Sequence, residues 1–139
     1  MRINVLDASN YFKGLLLLIR KDRKVTQVEI DLMRRFGKAL GFEKEFCDNA
    51  IEEILDNKFI VDEPPTFSVQ GLAPKFIKDG LMMAFSDGEA HPTEEEWLRS
   101  VVEKNSIDMN FFEAELQQAK HRRGFADHLE VDDLRIQHS

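Results

Sequence analysis

Val25-Thr26-Gln27-Val28-Glu29-Ile30-Asp31-Leu32-Met33-Arg34-Arg35-Phe36-Gly37-Lys38-Ala39-Leu40-Gly41 is the stretch on which the fold turns. Val25, Val28, Leu32, Phe36, Ala39 and Leu40 recur at steps of three and four, the spacing that lines apolar side chains along one face of an α-helix. Thr26, followed three residues later by Glu29, forms a capping box. Its hydroxyl takes the Glu29 amide proton, and the Glu29 carboxylate reaches back to the Thr26 amide. Gly41 accepts the left-handed backbone that ends a helix. The segment reads as one capped amphipathic helix whose apolar face needs neighbours.

The same spacing extends outward in both directions. Ser9 or Asn10 can cap a first helix running to about Arg20. Phe46, Ala50, Ile51, Ile54 and Leu55 mark a third helix from about Glu43 to Asp56. Val61-Asp62-Glu63-Pro64-Pro65-Thr66 cannot continue a helix, because two adjacent prolines remove donors and hold φ near −65°. Pro74 suits the first turn of a fourth helix ending near Ser86. Pro92 opens a fifth, carrying Leu98, Val101 and Val102 to about Asn105, and Asp108 or Asn110 begins a sixth reaching about His121. Strand-like alternation is hard to find. The expected class is all-α, a compact bundle of six main helices.

An internal repeat with an offset of 65 residues organises these helices. Leu16-Leu17-Leu18-Ile19 falls on Leu81-Met82-Met83-Ala84, Asp22 on Asp87, Glu29 on Glu94, Leu32-Met33-Arg34 on Trp97-Leu98-Arg99, and Phe46 on Phe111. Each copy holds an apolar helix, a turn bearing Asp, a capped amphipathic helix and a third helix. Neither unit can bury its own apolar face, so the two are expected to pack around a shared core with pseudo-two-fold symmetry. The expected division is a helical domain over residues 1–123, with repeats at about 10–58 and 70–121 and a linker at about 60–68. A tail follows over 124–139, either docked or mobile.

Composition bounds the function. The 139 residues are 42% hydrophobic and 32% charged, enough for one real interior. A net charge of −7 argues against the basic footprint that nucleic acid or an anionic membrane requires. The charge is uneven: residues 1–50 are net +3 and residues 51–139 net −10. The apolar run Leu15 to Ile19 is far too short to span a bilayer, no secretory signal opens the chain, and the lone Cys47 fits a reducing compartment. A cytoplasmic address is expected.

Chemistry-bearing residues gather in one place. In Phe85-Ser86-Asp87-Gly88-Glu89-Ala90-His91-Pro92-Thr93-Glu94, Asp-Gly with an acid six residues beyond the glycine matches the second half of an EF-hand loop. The first half is missing, since Met83 and Phe85 supply no side-chain oxygen. Asp87, Glu94 and Glu89, by side chain or carbonyl, are candidate ligands for a hard cation, with Asp22 and Glu29 as their counterparts. Asp22 is crowded by Arg20, Lys21, Arg23 and Lys24. Each acid also has a plain structural use. Glu29 closes a capping box, Glu94 closes one on His91 unless Thr93 and Glu96 do so instead, and Asp22 and Asp87 can accept turn amides. The helix macrodipole favours the acids of the first turn and opposes a cation there. No His-x-x-x-His pair, nucleophile elbow or glycine-rich phosphate loop occurs.

The doubled pattern of Arg20-Lys21-Asp22-Arg23-Lys24-Val25-Thr26-Gln27-Val28-Glu29 and Phe85 to Glu94 resembles the TerB-like, tellurite-resistance-related family over about residues 10–120. The resemblance implies a helical bundle of the bacterial cytoplasm, linked to metal or chemical stress and acting as an interaction module. It also implies divalent-cation binding by acids at positions matching Asp22, Glu29, Asp87 and Glu94. Arg23 stands where a glycine is usual after the first aspartate. The expected function is a non-enzymatic module that binds a divalent cation such as Ca²⁺ or Mg²⁺ weakly, a protein partner, or both, through acidic turns. A metal-dependent hydrolase on the same carboxylates and a structural or homodimerisation domain are the alternatives.

Overall fold

Leu15 to Ile19 leave no polar side, and a helix apolar all round has to lie inside. In a computed structural model, which describes residues 1–21, 25–57, 59–86, 88–122 and 129–137, that helix is α1 (Val5–Arg20). It buries Asp7, Ala8, Tyr11, Phe12 and the run from Gly14 to Ile19. Its counterpart α4 (Leu72–Ala84) buries ten of its thirteen residues, and the two pack against each other. Around this pair lie α2 (Gln27–Ala39) and α3 (Lys44–Asp56) in the first half, and α5 (Pro92–Lys104) and α6 (Met109–His121) in the second. Within each half the three helices all touch one another. The class is all-α, with six α-helices among the described residues.

The offset of 65 recurs in the helix limits, since α2 and α5, and α3 and α6, start and stop at equivalent residues. It recurs in burial as well. Glu29, Leu32, Met33, Phe36 and Gly37 of α2 correspond one for one to Glu94, Trp97, Leu98, Val101 and Val102 of α5. Cys47, Ile51 and Ile54 of α3 correspond to Phe112, Leu116 and Ala119 of α6.

One helix start differs from expectation. Asn4 caps α1, rather than Ser9 or Asn10: its Oδ1 accepts the Asp7 amide at 2.7 Å. The extra turn is held because the Asp7 carboxylate accepts both the Ser68 amide, at 3.0 Å, and the Ser68 hydroxyl. The fourth helix begins at Leu72 behind Gly71, whose φ of +92° suits glycine, so Pro74 lies in its first turn as expected, and it ends at Ala84.

The tail is docked over its described part. A 3₁₀ turn (Glu130–Asp133) packs on α4 and α2, and Leu129, Val131 and Leu134 are at most 2% exposed. Burying three such side chains stabilises the docked state by roughly 1.5–3 kcal/mol each. Beyond the turn, β2 (Arg135–Gln137) runs parallel to β1 (Arg2–Asn4), with Ile136 opposite Ile3. Three-residue strands carry no readable alternation, so this pairing of the termini escapes the sequence.

Candidate functional site

Both acidic corners are helix starts. At the first, the Thr26 amide donates to Glu29 Oε1 at 2.9 Å, and the Glu29 amide donates to Thr26 Oγ1 at 3.1 Å. At the second, the His91 amide donates to Glu94 Oε1 at 3.0 Å, and His91 Nδ1 accepts from the Thr93 amide at 3.2 Å. His91 and Glu94 are therefore the pair that forms the cap, while Glu96 stays exposed. Glu29 is 3% and Glu94 2% exposed. In each corner the capping amide is held by Oε1 alone, and the carboxylate is buried against the start of its helix.

The start of α5 touches the end of α1. Thr93 Oγ1 lies 3.3 Å from the Lys21 carbonyl oxygen, within hydrogen-bond reach. Lys21 in turn pairs with Asp62, and Arg20 donates to the carbonyls of Asn57 and Ile60, at 3.2 Å each. Of the five sequence candidates, Glu29 and Glu94 are thus placed at helix starts and Glu89 is exposed; Asp22 and Asp87 lie outside the described residues. Among the described residues, no three His, Cys, Asp or Glu side chains gather closely enough to hold a metal. As an expected outcome, Glu94→Ala lowers stability by about 1 kcal/mol, as loss of a cap does, and thermal unfolding followed by circular dichroism measures it.

A buried acid that the sequence reading missed sits elsewhere. Asp79 of α4, 2% exposed, accepts from Tyr11 Oη at 2.6 Å, from the Val131 amide at 2.9 Å and from the Glu130 amide at 2.8 Å. Burial pushes its carboxyl up to about 7 against these three donors, and Tyr11 is raised well above its ordinary value, also chiefly by burial. Asp79 borders a polar cavity of about 150 Å³, whose other polar walls are Lys78, Glu115, Gln118, Arg122 and Glu130. All three donors belong to the fold, so Asp79 ties the tail down. The legible signal was a single acid among Phe76, Ile77, Gly80 and Leu81 on a helix whose other charged residues are Lys75 and Lys78.

The corresponding groove of the first half, between α1 and α3, is open and apolar. Phe12, Leu16, Phe46, Ala50, Ile54 and Ile60 line a space of about 310 Å³, with Lys13 and Glu53 at its edge. Phe46 is 53% exposed although its ring stacks near Phe12 and Phe42, at 6.4 and 5.2 Å between centroids. Leu55, Phe59 and Val61 are exposed too. The helical period of α3 announced Phe46, Ala50 and Ile54 as one face. Whether that face meets the core or the solvent depends on how far α1 covers it.

Comparison of the chain with protein-family models, with curated proteins and with solved structures found no match.

Proposed function

We propose that the chain is a non-enzymatic, TerB-like interaction module that engages a protein partner through the apolar groove between α1 and α3. The observation that carries this reading is Phe46, a large aromatic side chain half exposed at the mouth of a 310 Å³ apolar space. A concave apolar site with a few polar groups at its edge is the usual form of a binding site, and exposed apolar surface gathered in one patch is costly unless something covers it. Nile red, an uncharged reporter of apolar surface, is expected to brighten on the folded protein and to lose most of that signal in Phe46→Ser at unchanged helix content. Equal dye binding by both chains would defeat the reading.

A cation at the acidic corners is the second reading, favoured by the Thr93–Lys21 contact between the start of α5 and the end of α1. It expects calorimetry to find saturable uptake of Ca²⁺, Mg²⁺ or Mn²⁺ that Asp87→Asn weakens with the fold retained. No uptake by the parent, together with lost helix stability in Glu94→Gln, leaves capping as the whole role of these acids.

A further inference from the structure

The two halves carry the same groove, furnished differently. Adding 65 to Lys13, Leu16, Ala50, Glu53 and Ile54 gives Lys78, Leu81, Glu115, Gln118 and Ala119, all of which line the polar cavity between α4 and α6. In the second half the chain's own tail supplies part of the wall at that position. Glu130 lies across it, within 3.6 Å of Lys78 Nζ and 3.3 Å of Lys75 Nζ. In the first half Ala50 replaces Glu115, Ile54 replaces Ala119, and the groove stays open.

Its rim is the most acidic part of the molecule. Residues 43–63 hold eight Asp and Glu against two Lys, a net charge of −6. Asp48 is paired with Arg34, Asp62 with Arg20 and Lys21, and Glu63 with Lys104. No ion pair joins Glu45, Glu52, Glu53 or Asp56 to another described residue. At steps of seven and four along α3, Glu45, Glu52 and Asp56 form a stripe on the outer face of the helix, and Glu53 lies between that stripe and Phe46 and Ala50, at the edge of the groove. The wall contributed by α1 offers one cation, Lys13.

Resting on the partner reading above, we propose that the occupant of the α1–α3 groove is a basic amphipathic helix of a partner protein. Its apolar side chains enter between Phe46, Ala50 and Ile54, and its Lys and Arg residues meet the carboxylates of α3. An apolar helix face in a groove supplies the contact, and opposed charge sets orientation and encounter rate. A second copy of this chain is a poor occupant, because an isologous contact through this face brings two acidic rims together.

The probe is a fluorescein-labelled peptide of about 16 residues, with Leu or Phe on one helical face and Lys or Arg on the rest. Anisotropy titrations compare it with its Lys/Arg-to-Glu version, an uncharged Gln version and a scrambled version. The basic amphipathic peptide is expected to bind. Phe46→Ser is expected to weaken it at least tenfold, the exposed pair Glu52→Lys with Glu53→Lys likewise, and raising the salt concentration should weaken it further. Circular dichroism checks that each variant is folded, and the lysine pair keeps the test intact should Phe46→Ser unfold. Equal binding of the Gln or Glu version overturns the basic-helix proposal while the groove reading stands. Equal binding of the scrambled peptide, or insensitivity to both variants, also overturns it. So does a dimer in sedimentation that Phe46→Ser dissolves. Failure of every peptide together with Nile red overturns both readings.

Discussion

At pH 5, Asp79→Ala is expected to lower the free energy of unfolding by about 3 kcal/mol, and at pH 8 by less than about 1 kcal/mol. Removing the carboxyl strands the Tyr11 hydroxyl and the amides of Glu130 and Val131 in a region from which water is largely excluded. The pH dependence follows from burial. The carboxyl sits at about 7 when folded and near 3.8 when not. Between those values the native state holds a proton that the unfolded chain has released, so stability falls as pH rises through the window. The loss from pH 5 to pH 8 is on the order of 2–3 kcal/mol in the parent. A chain without the carboxyl has no such loss, so the two unfolding curves converge at high pH. Asp79→Asn, which keeps one acceptor, is expected to flatten the slope while costing less at pH 5. Urea unfolding of the three chains at both pH values reads the differences, and comparing them at each pH cancels the other titrating groups. Lys75 and Lys78 lie on the same helix but are engaged with Glu130, and Glu115 faces Lys78, so the charged groups around Asp79 largely offset one another. A pH-independent cost for Asp79→Ala would show that its carboxyl is ionised in the folded and unfolded chain alike over this range, and would overturn the raised value.

What the sequence revealed depended on distance along the chain. The capping box of Thr26 and Glu29 was legible because donor and acceptor lie three residues apart and the geometry is local. At the second corner the same rule allowed two registers. Only the fold chose His91 with Glu94, because the burial of Glu94 requires the helix to start at Pro92. The offset of 65 was readable because core positions recur by volume and polarity. Tyr11 and Asp79 lie 68 residues apart, and Asp79 and Glu130 51 apart. A lone acid among the apolar residues of a helix announces that it needs donors without saying which. The groove was the least legible feature. Phe46 and Ile54 obey the same helical period, yet one is half exposed and the other 3% exposed. That distinction is made by the placement of α1.

Gly37→Ala is expected to destabilise the protein by about 2–4 kcal/mol, although alanine is the better helix former by about 1 kcal/mol. The reason is the approach of α3 to α2. A Cβ at residue 37 would lie 2.2 Å from Cys47 Sγ and 3.2 Å from Phe12 Cε2, far inside contact distance for the sulfur. Cys47 is 1% exposed and Phe12 3%, so neither has free space to enter, and the helices must part or a rotamer must be forced. The second half shows that the position itself does not demand glycine. The equivalent residues are Val102 and Phe112, both fully buried, so one half pairs a glycine with a cysteine where the other pairs two larger side chains. The clash therefore belongs to this particular pair, and a compensating change should relieve it. Cys47→Ala alone is expected to cost about 1 kcal/mol for the small cavity it leaves. In the Gly37→Ala background it removes the obstructing sulfur and is expected to restore about 1–2 kcal/mol, a coupling of the size seen between residues in contact. Chemical denaturation of the four chains gives that coupling directly. If the two costs simply add, the strain lies in the backbone of α2 rather than between residues 37 and 47.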